Sequence, residues 1–526
     1  MMETTAQIAR RARVGRFASW TLALINGVAF VLMAAQYAGS GFPRAPLSYR
    51  YIGALPTAIT EWRGIAHDGT AAVELSEFFK ARGADVTDND LLASTRMPIV
   101  EPQNRMVAFT SDDQGHAVFV RWSFAIFGLS LLSPHKMFFL VLGVSLLTFV
   151  AAHFTRPETL ACSTWVVLAL YTVLPVLGVS SQLAGAIDPR FMGVLAIIPT
   201  LHLCLDACGR RLSSSDLLAL VLQSSIIAAT FQIRSSSGWS LLCVSLVAVI
   251  VSGAAFVKEG RTRSVTRPLV PLLVVVIMFA AGSVWQRSRL GGALVRAVPS
   301  QHVFWHAIHV GFGLHPQFAR EDGLTLDDMP AHEHVFRSLR AANDDAALRA
   351  AFGGDGHRLV PDDIQWVPYE RATRGVVFDM VRRHPWSVVE LFAYYKPLML
   401  ARTALWAAGF FHGSVEAIGM SPSWLITEPR RRETDAYIRL FRPAILIILI
   451  ANVAAVMSLG FGADGRTLLV PGVAVVLAMT ATAIGPGFVV VPAFHWIGDL
   501  LVLGCASVYG LTTQIFAVGL RAMARA

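Results

Sequence analysis

Charge is what this sequence lacks. Only 15% of its 526 residues are Asp, Glu, Lys or Arg, against 54% hydrophobic and a mean hydropathy of +0.55. Soluble domains carry about 25% charged residues. At roughly 150 residues each, a soluble chain of this length would hold three or four domains, and the sequence cannot supply their polar surfaces. The same shortage excludes an intrinsically disordered chain and a nucleic-acid-binding one. Cysteine is scarce too. The five (Cys162, Cys204, Cys208, Cys243, Cys505) all lie in apolar stretches, so the polar segments carry no disulfide framework. Cys204 and Cys208 share a helix face but offer too few ligands for a metal site, and read as helix packing. There is no internal repeat, low-complexity segment, Gly-rich phosphate loop or G-x-S-x-G elbow.

What is present is a series of apolar runs. A bilayer core about 30 Å thick needs around 20 apolar helical residues. Ten segments qualify, at approximately 17–38, 135–154, 160–180, 190–208, 215–233, 239–257, 268–286, 443–460, 467–486 and 496–519. The chain reads as an all-α polytopic membrane protein. The first run exceeds a signal peptide's apolar core and reads as an uncleaved anchor.

The net charge of +9 is largely topological. With the N-terminus inside, the inner connections hold 14 basic residues: Arg10, Arg11, Arg13, Arg16, Arg156, Arg210, Arg211, Lys258, Arg261, Arg263, Arg267, Arg466, Arg521 and Arg525. The short outer ones hold only Arg190 and Arg234. That asymmetry places the N-terminus in the cytoplasm. The chain then divides into 1–38, a cytoplasmic N-terminus and anchor; 39–134, a first outer polar segment; 135–286, spans two to seven; 287–442, a second outer segment; and 443–526, the last three spans with a cytoplasmic tail. An eleventh span would arise if 386–412 crossed the membrane. Glu390, Lys396 and Arg402 in its middle favour an interfacial helix instead. The stretch 117–132, with Arg121, also reads as interfacial.

Spans with so few ionisable groups put any chemistry at the outer surface. There, Ser111-Asp112-Asp113-Gln114-Gly115-His116 precedes the amphipathic stretch 117–132. Asp112 or Asp113 could act as a general base on an acceptor hydroxyl, or hold a divalent cation. The same residues fit a helix start, with Ser111 and Gln114 as a capping box. His67-Asp68-Gly69 offers Asp68 as a rival, again with a capping explanation. Arg287, Arg289 and Arg296 follow the seventh span, where positive charge opposes the inside rule; guanidinium groups at headgroup depth suit phosphate or anionic lipid. Nine of the 15 histidines fall between 287 and 442. His302, His306 and His309 share a helical face, with His315, His332 and His334 following. They read as interfacial histidines, as contacts to an anionic headgroup or substrate, or as a zinc site; the H-E-x-x-H signature is absent, and no metal ligands are assigned. Tyr369-Glu370-Arg371 and His384-Pro385-Trp386 lie before the interfacial helix, where Trp and Tyr serve as interface anchors.

In layout the chain resembles the GT-C class of integral-membrane glycosyltransferases: a helical membrane body, an acidic pair in the first outer loop before an interfacial helix, and a large late outer segment. Short stretches are also similar to a group of uncharacterised bacterial membrane proteins. These are Asp112-Asp113-Gln114-Gly115 leading into Phe124-Ala125-Ile126-Phe127-Gly128, Phe304-Trp305-His306 leading into Gly311-Phe312-Gly313, and Pro385-Trp386. The resemblance implies a bacterial inner-membrane enzyme that takes a sugar from a polyprenyl-phosphate donor. It implies Asp112 or Asp113, with Asp68 as rival, as base or metal ligand. Arg287, Arg289 and Lys396 would then hold the phosphate, and His306 would orient donor or acceptor. The partners expected are a lipid-linked sugar and membrane lipid. Alternatives are an O-antigen-type polymerase or ligase working through outer Arg and His residues, and a transporter or flippase without covalent chemistry.

Overall fold

The computed structural model of the chain describes residues 5–39, 49–99, 106–108, 114–177, 187–209, 214–259, 266–289, 304–326, 328–353, 359, 364–399, 443–456, 470–489 and 497–523. Asp112, Asp113, Arg296, His302 and everything from 400 to 442 lie outside these residues.

The first helix, α1 (Thr5–Gly39), is followed by a small polar unit: α2 (Tyr49–Trp62), β1 (Thr70–Ala72), α3 (Val73–Arg82), α4 (Asp88–Arg96), β2 (Met106–Ala108) and α5 (Gln114–Phe127). The two strands form an antiparallel ribbon with Thr70 opposite Ala108, a small departure from an all-helical fold. α4 starts on a capping box in which Thr87 and Asp90 bond each other's backbone N–H. The unit has its own core of Tyr51, Leu55, Ile59, Leu75, Phe79 and Leu91, completed by Val120 and Phe124 of α5. Gly128, at φ +84°, follows the end of α5 in a conformation that favours glycine.

The membrane body follows: α6 (Ser133–His153), α7 (Pro157–Leu177), α8 (Ile197–Cys208), α9 (Ser214–Ile233), α10 (Trp239–Glu259) and α11 (Leu269–Arg289). A second polar segment contains α12 (Phe304–Phe312), α13 (Pro316–Glu321), α14 (Asp328–Ala341), α15 (Asp345–Phe352), α16 (Trp366–Arg383) and α17 (Pro385–Glu390). The chain closes with α18 (Pro443–Val456), α19 (Val470–Val489) and α20 (Ile497–Met523).

Among the described residues, seven helices are long and apolar enough to cross a membrane, within α1, α6, α7, α9, α10, α11 and α20. Shorter apolar helices at Gly193–Cys208, Pro443–Val456 and Pro471–Ile484 fall on the other three expected segments. The chain is therefore a multi-pass helical membrane protein. Helices suit this setting because each satisfies its backbone groups internally.

The body is organised around α7. Its apolar stretch is 89% buried, whereas that of α11 is only 11% buried, so α7 is the axis and α11 lies at the edge. α1, α6, α8, α19 and α20 all pack on α7. Polar pegs fix the register. Asn26 donates to the Leu160 carbonyl at 3.2 Å and to Thr164 Oγ1 at 2.9 Å. Trp165 Nε1 donates to Asn452 Oδ1 at 3.1 Å. Such bonds hold apolar helices together where no hydrophobic force separates helix from lipid.

Candidate functional site

Four helices at the edge of the body leave a gap between them. α5 packs on α2, α6 and α9, and α9 packs on α11. The helix expected to be interfacial thus bridges the first polar unit and the membrane body. Its Val120–Phe124 side faces the polar unit's core, while Val118, Phe119 and Trp122 face the gap. The gap is a groove of about 430 Å³, walled also by Met137 and Val141 of α6, Ile226 and Ala229 of α9, and Met278, Gly282 and Trp285 of α11. Trp122 and Trp285, which line it, are about half exposed. Gly115 permits the close approach of α5 to α9, because a Cβ there would overlap the Gln232 carbonyl.

One end of the groove is charged. Gly115, Val118, Gln232 and Trp285 line both the groove and a smaller adjoining hollow that includes Thr57, Glu61, Gly69 and Arg289. Glu61, near the end of α2, is 2% exposed. Its Oε2 accepts a hydrogen bond from Arg289 Nη2 at 2.7 Å and lies 3.6 Å from Arg121 Nη1. The Arg289 guanidinium also lies over the Trp285 ring, 5.0 Å from its centroid. Arg287 and Arg289 occupy the last turn of α11, where the helix dipole favours cations. Two guanidinium groups against one carboxylate leave net positive charge where an otherwise apolar groove ends.

The expected site residues are distributed as follows. Arg289 forms the charged end, with Arg287 exposed on the same turn. Asp68 closes a local turn at the start of β1: its Oδ1 accepts from the Thr70 amide at 3.2 Å and the Thr70 hydroxyl at 2.6 Å. Its neighbour Gly69 lines the charged hollow. Glu61 was not singled out from the sequence. The one available signal was a lone acid in the apolar helical run Ala54–Trp62.

His306 belongs to a different network, formed by the second polar segment. Glu370 accepts from the backbone N–H groups of Trp305 and His306 at 2.7 and 2.8 Å, capping α12. Burial nevertheless holds this carboxyl above its ordinary range. The His306 ring bonds Tyr369 Oη at 3.0 Å and Asp328 at 3.1 Å, and stacks on His332 with 4.6 Å between centroids. His332 Nδ1 shares the same hydroxyl at 2.8 Å. One turn along, His309 Nε2 meets His334 Nδ1 at 2.8 Å, and His334 Nε2 lies 3.3 Å from Asp322. These imidazoles form the packed seam between α12 and α14. Burial pushes His332 down to about 4 and holds His309 well below the usual histidine range, with its histidine neighbours adding to the effect. Asp322 is held low: burial acts against ionisation, but the His334 hydrogen bond and nearby cations outweigh it.

Lys396 follows a widened π-helical turn, Leu391–Tyr395, and is fully buried with Nζ 4.1 Å from the Phe392 ring centroid. Burial pushes its ammonium down to about 7. The partners of Arg289 (Glu61, Trp285) and those of His306 (Tyr369, Asp328, Glu370) thus belong to separate networks.

The chain matches no protein-family model, curated protein or solved structure with which it was compared.

Proposed function

We propose that the chain is a membrane glycosyltransferase working at the outer leaflet of a bacterial cytoplasmic membrane, with a sugar on a polyprenyl phosphate as donor. One observation carries this reading: the apolar groove between α5, α6, α9 and α11 ends at Arg289, Glu61 and Arg121. A molecule with a long apolar tail and an anionic head matches both halves of that site. In this reading the tail lies along Phe119, Met278 and Trp285 and the phosphate meets the guanidinium groups.

The reaction requires a base and a place for the charge left behind. Asp112 or Asp113, just before α5, takes the proton from an acceptor hydroxyl. The hydroxyl oxygen bonds to the anomeric carbon as the bond from that carbon to the phosphate oxygen breaks. Arg289, supported by Arg121 and Arg287, stabilises the released lipid phosphate. Glu61 holds two of these cations in place. The N-terminus is cytoplasmic in this arrangement, as the distribution of Lys and Arg requires.

The test is turnover. Purified protein is incubated with polyprenyl-phosphate sugars, and release of lipid phosphate is compared for wild type, Asp112→Asn, Asp113→Asn and Arg289→Gln. Loss in one Asp variant and in Arg289→Gln is expected. Wild-type rates in both Asp variants would remove the base from the mechanism. Lipid that binds the groove and crosses a bilayer without turnover would establish a flippase instead.

A further inference from the structure

At the far end of α6, about 30 Å along its 21 residues from Ser133, lies a second cluster unrelated to the groove. His202 and Asp206 are spaced i, i+4 on α8 and share one face. His153, the last residue of α6, packs against them, with 4.8 Å between the two imidazole centroids. His202 Nε2 is 3.2 Å from Asp206 Oδ2, and His153 Nε2 is 3.9 Å from Asp206 Oδ1. One ligand atom from each residue lies within 4.8 Å of those from the other two.

This cluster is buried and poorly satisfied. His153 and His202 are 1% and 0% exposed, and neither ring has a hydrogen-bond partner at either nitrogen. Asp206 Oδ2 meets His202 Nε2 at 3.2 Å as an ion pair and has no further hydrogen-bond partner. Buried polar atoms are nearly always paired, and one ligand atom from each of these three residues lies within 4.8 Å of the other two, an arrangement that calls for a ligand. Arg156 Nη1, 3.8 Å from Oδ1, neutralises part of the carboxylate.

The geometry points to a divalent transition-metal site of the Zn²⁺ class, with His153, His202 and Asp206 as its protein ligands. Two imidazoles and a carboxylate suit Zn²⁺ and its first-row neighbours, whereas Mg²⁺ and Ca²⁺ take oxygen ligands. Zn–N and Zn–O bonds of about 2.0–2.2 Å in tetrahedral geometry set ligand atoms about 3.3 Å apart. The 3.2 Å separation between His202 Nε2 and Asp206 Oδ2 already meets that spacing, and His153, whose ligand atom lies within 4.8 Å of the other two, completes the set by a side-chain rotation. A metal here ties α6 to α8 and leaves a coordination position for water. The inference is independent of the sugar-transfer reading.

The test uses full-length protein in detergent, stripped with chelator and reloaded with Zn²⁺ or Co²⁺ alone. One metal per chain is expected by elemental analysis, with a tetrahedral Co²⁺ ligand-field spectrum in the wild type. Metal affinity should fall at least about tenfold in His202→Gln and in Asp206→Asn, and stay unchanged in His334→Gln of the second polar segment. A rise in melting temperature when Zn²⁺ is added to stripped wild type supports the site without reliance on any variant. Failure of stripped, folded wild type to bind either metal would overturn the proposal, leaving a histidine–aspartate ion pair. Full binding retained in well-folded His202→Gln and Asp206→Asn would overturn it as well.

Discussion

Arg289 Nη2 donates to Glu61 Oε2 at 2.7 Å, joining residues 228 positions apart in the chain. The bond ties the end of α11, the most exposed of the seven long apolar helices, to the first polar unit. Because Glu61 is 2% exposed, removing its partner strands a buried carboxylate beside the more distant Arg121. Arg289→Ala should lower stability by about 1–3 kcal/mol, less than for a wholly buried pair because Arg121 remains. The check is a double-mutant cycle by thermal melting in detergent. Glu61 and Arg289 should couple more strongly than Glu61 and Arg121; equal couplings would count against the geometry.

The groove can be filled without touching its charges. Ala229 is exposed and lines the groove, so Ala229→Phe should occupy it and leave folding intact. Native mass spectrometry of detergent-purified protein should show less retained polyprenyl phosphate than wild type. Unchanged retention would place the lipid elsewhere.

Gly115 allows α5 to meet α9. Gly115→Ala puts a methyl into the Gln232 carbonyl, and overpacking of this kind costs about 1–3 kcal/mol. A melting temperature equal to wild type would show that the two helices have room to part.

The second polar segment should weaken in acid. His332 is held at about 4 by burial, below its ordinary value of 6.5. A lowered histidine value means that the unfolded chain binds the proton more readily, so stability is full above about pH 6.5 and falls as pH drops toward 4. At 1.36 kcal/mol per unit, the full effect is on the order of 3 kcal/mol. Thermal melting of wild type between pH 7.5 and about 4.5 should show this loss, with a shallower slope in His332→Gln. Parallel slopes would mean that another group titrates.

Glu370 caps α12 through two backbone N–H groups. Glu370→Ala should cost about 1–2 kcal/mol, read as faster amide hydrogen exchange in residues 304–309 while α7 is unaffected.

The membrane class was legible because it rests on composition and on run length, both local quantities. Every expected apolar segment corresponds to an apolar helix, including the short ones at Gly193–Cys208 and Pro471–Ile484. Arg289 drew attention as well, because a cation just past a span violates the asymmetry that the charge distribution leads one to expect. Glu61 was not: its meaning depends on Arg121 and Arg289, and nothing in its neighbours announces them. The histidines showed only that α12 carries a polar face. That the face is met by His332 and His334 of α14 follows from helix packing.

The sequence by itself determined that this is a multi-pass helical membrane protein with two polar segments, since hydropathy and charge spacing act residue by residue along the chain. Only the tertiary structure decided which charges meet: Glu61 with Arg289 at the end of an apolar groove, and His153 with His202 and Asp206 at the far end of α6. The physical reason is that a carboxylate or imidazole takes its character from groups within a few ångströms, and in this fold those groups come from helices distant in sequence.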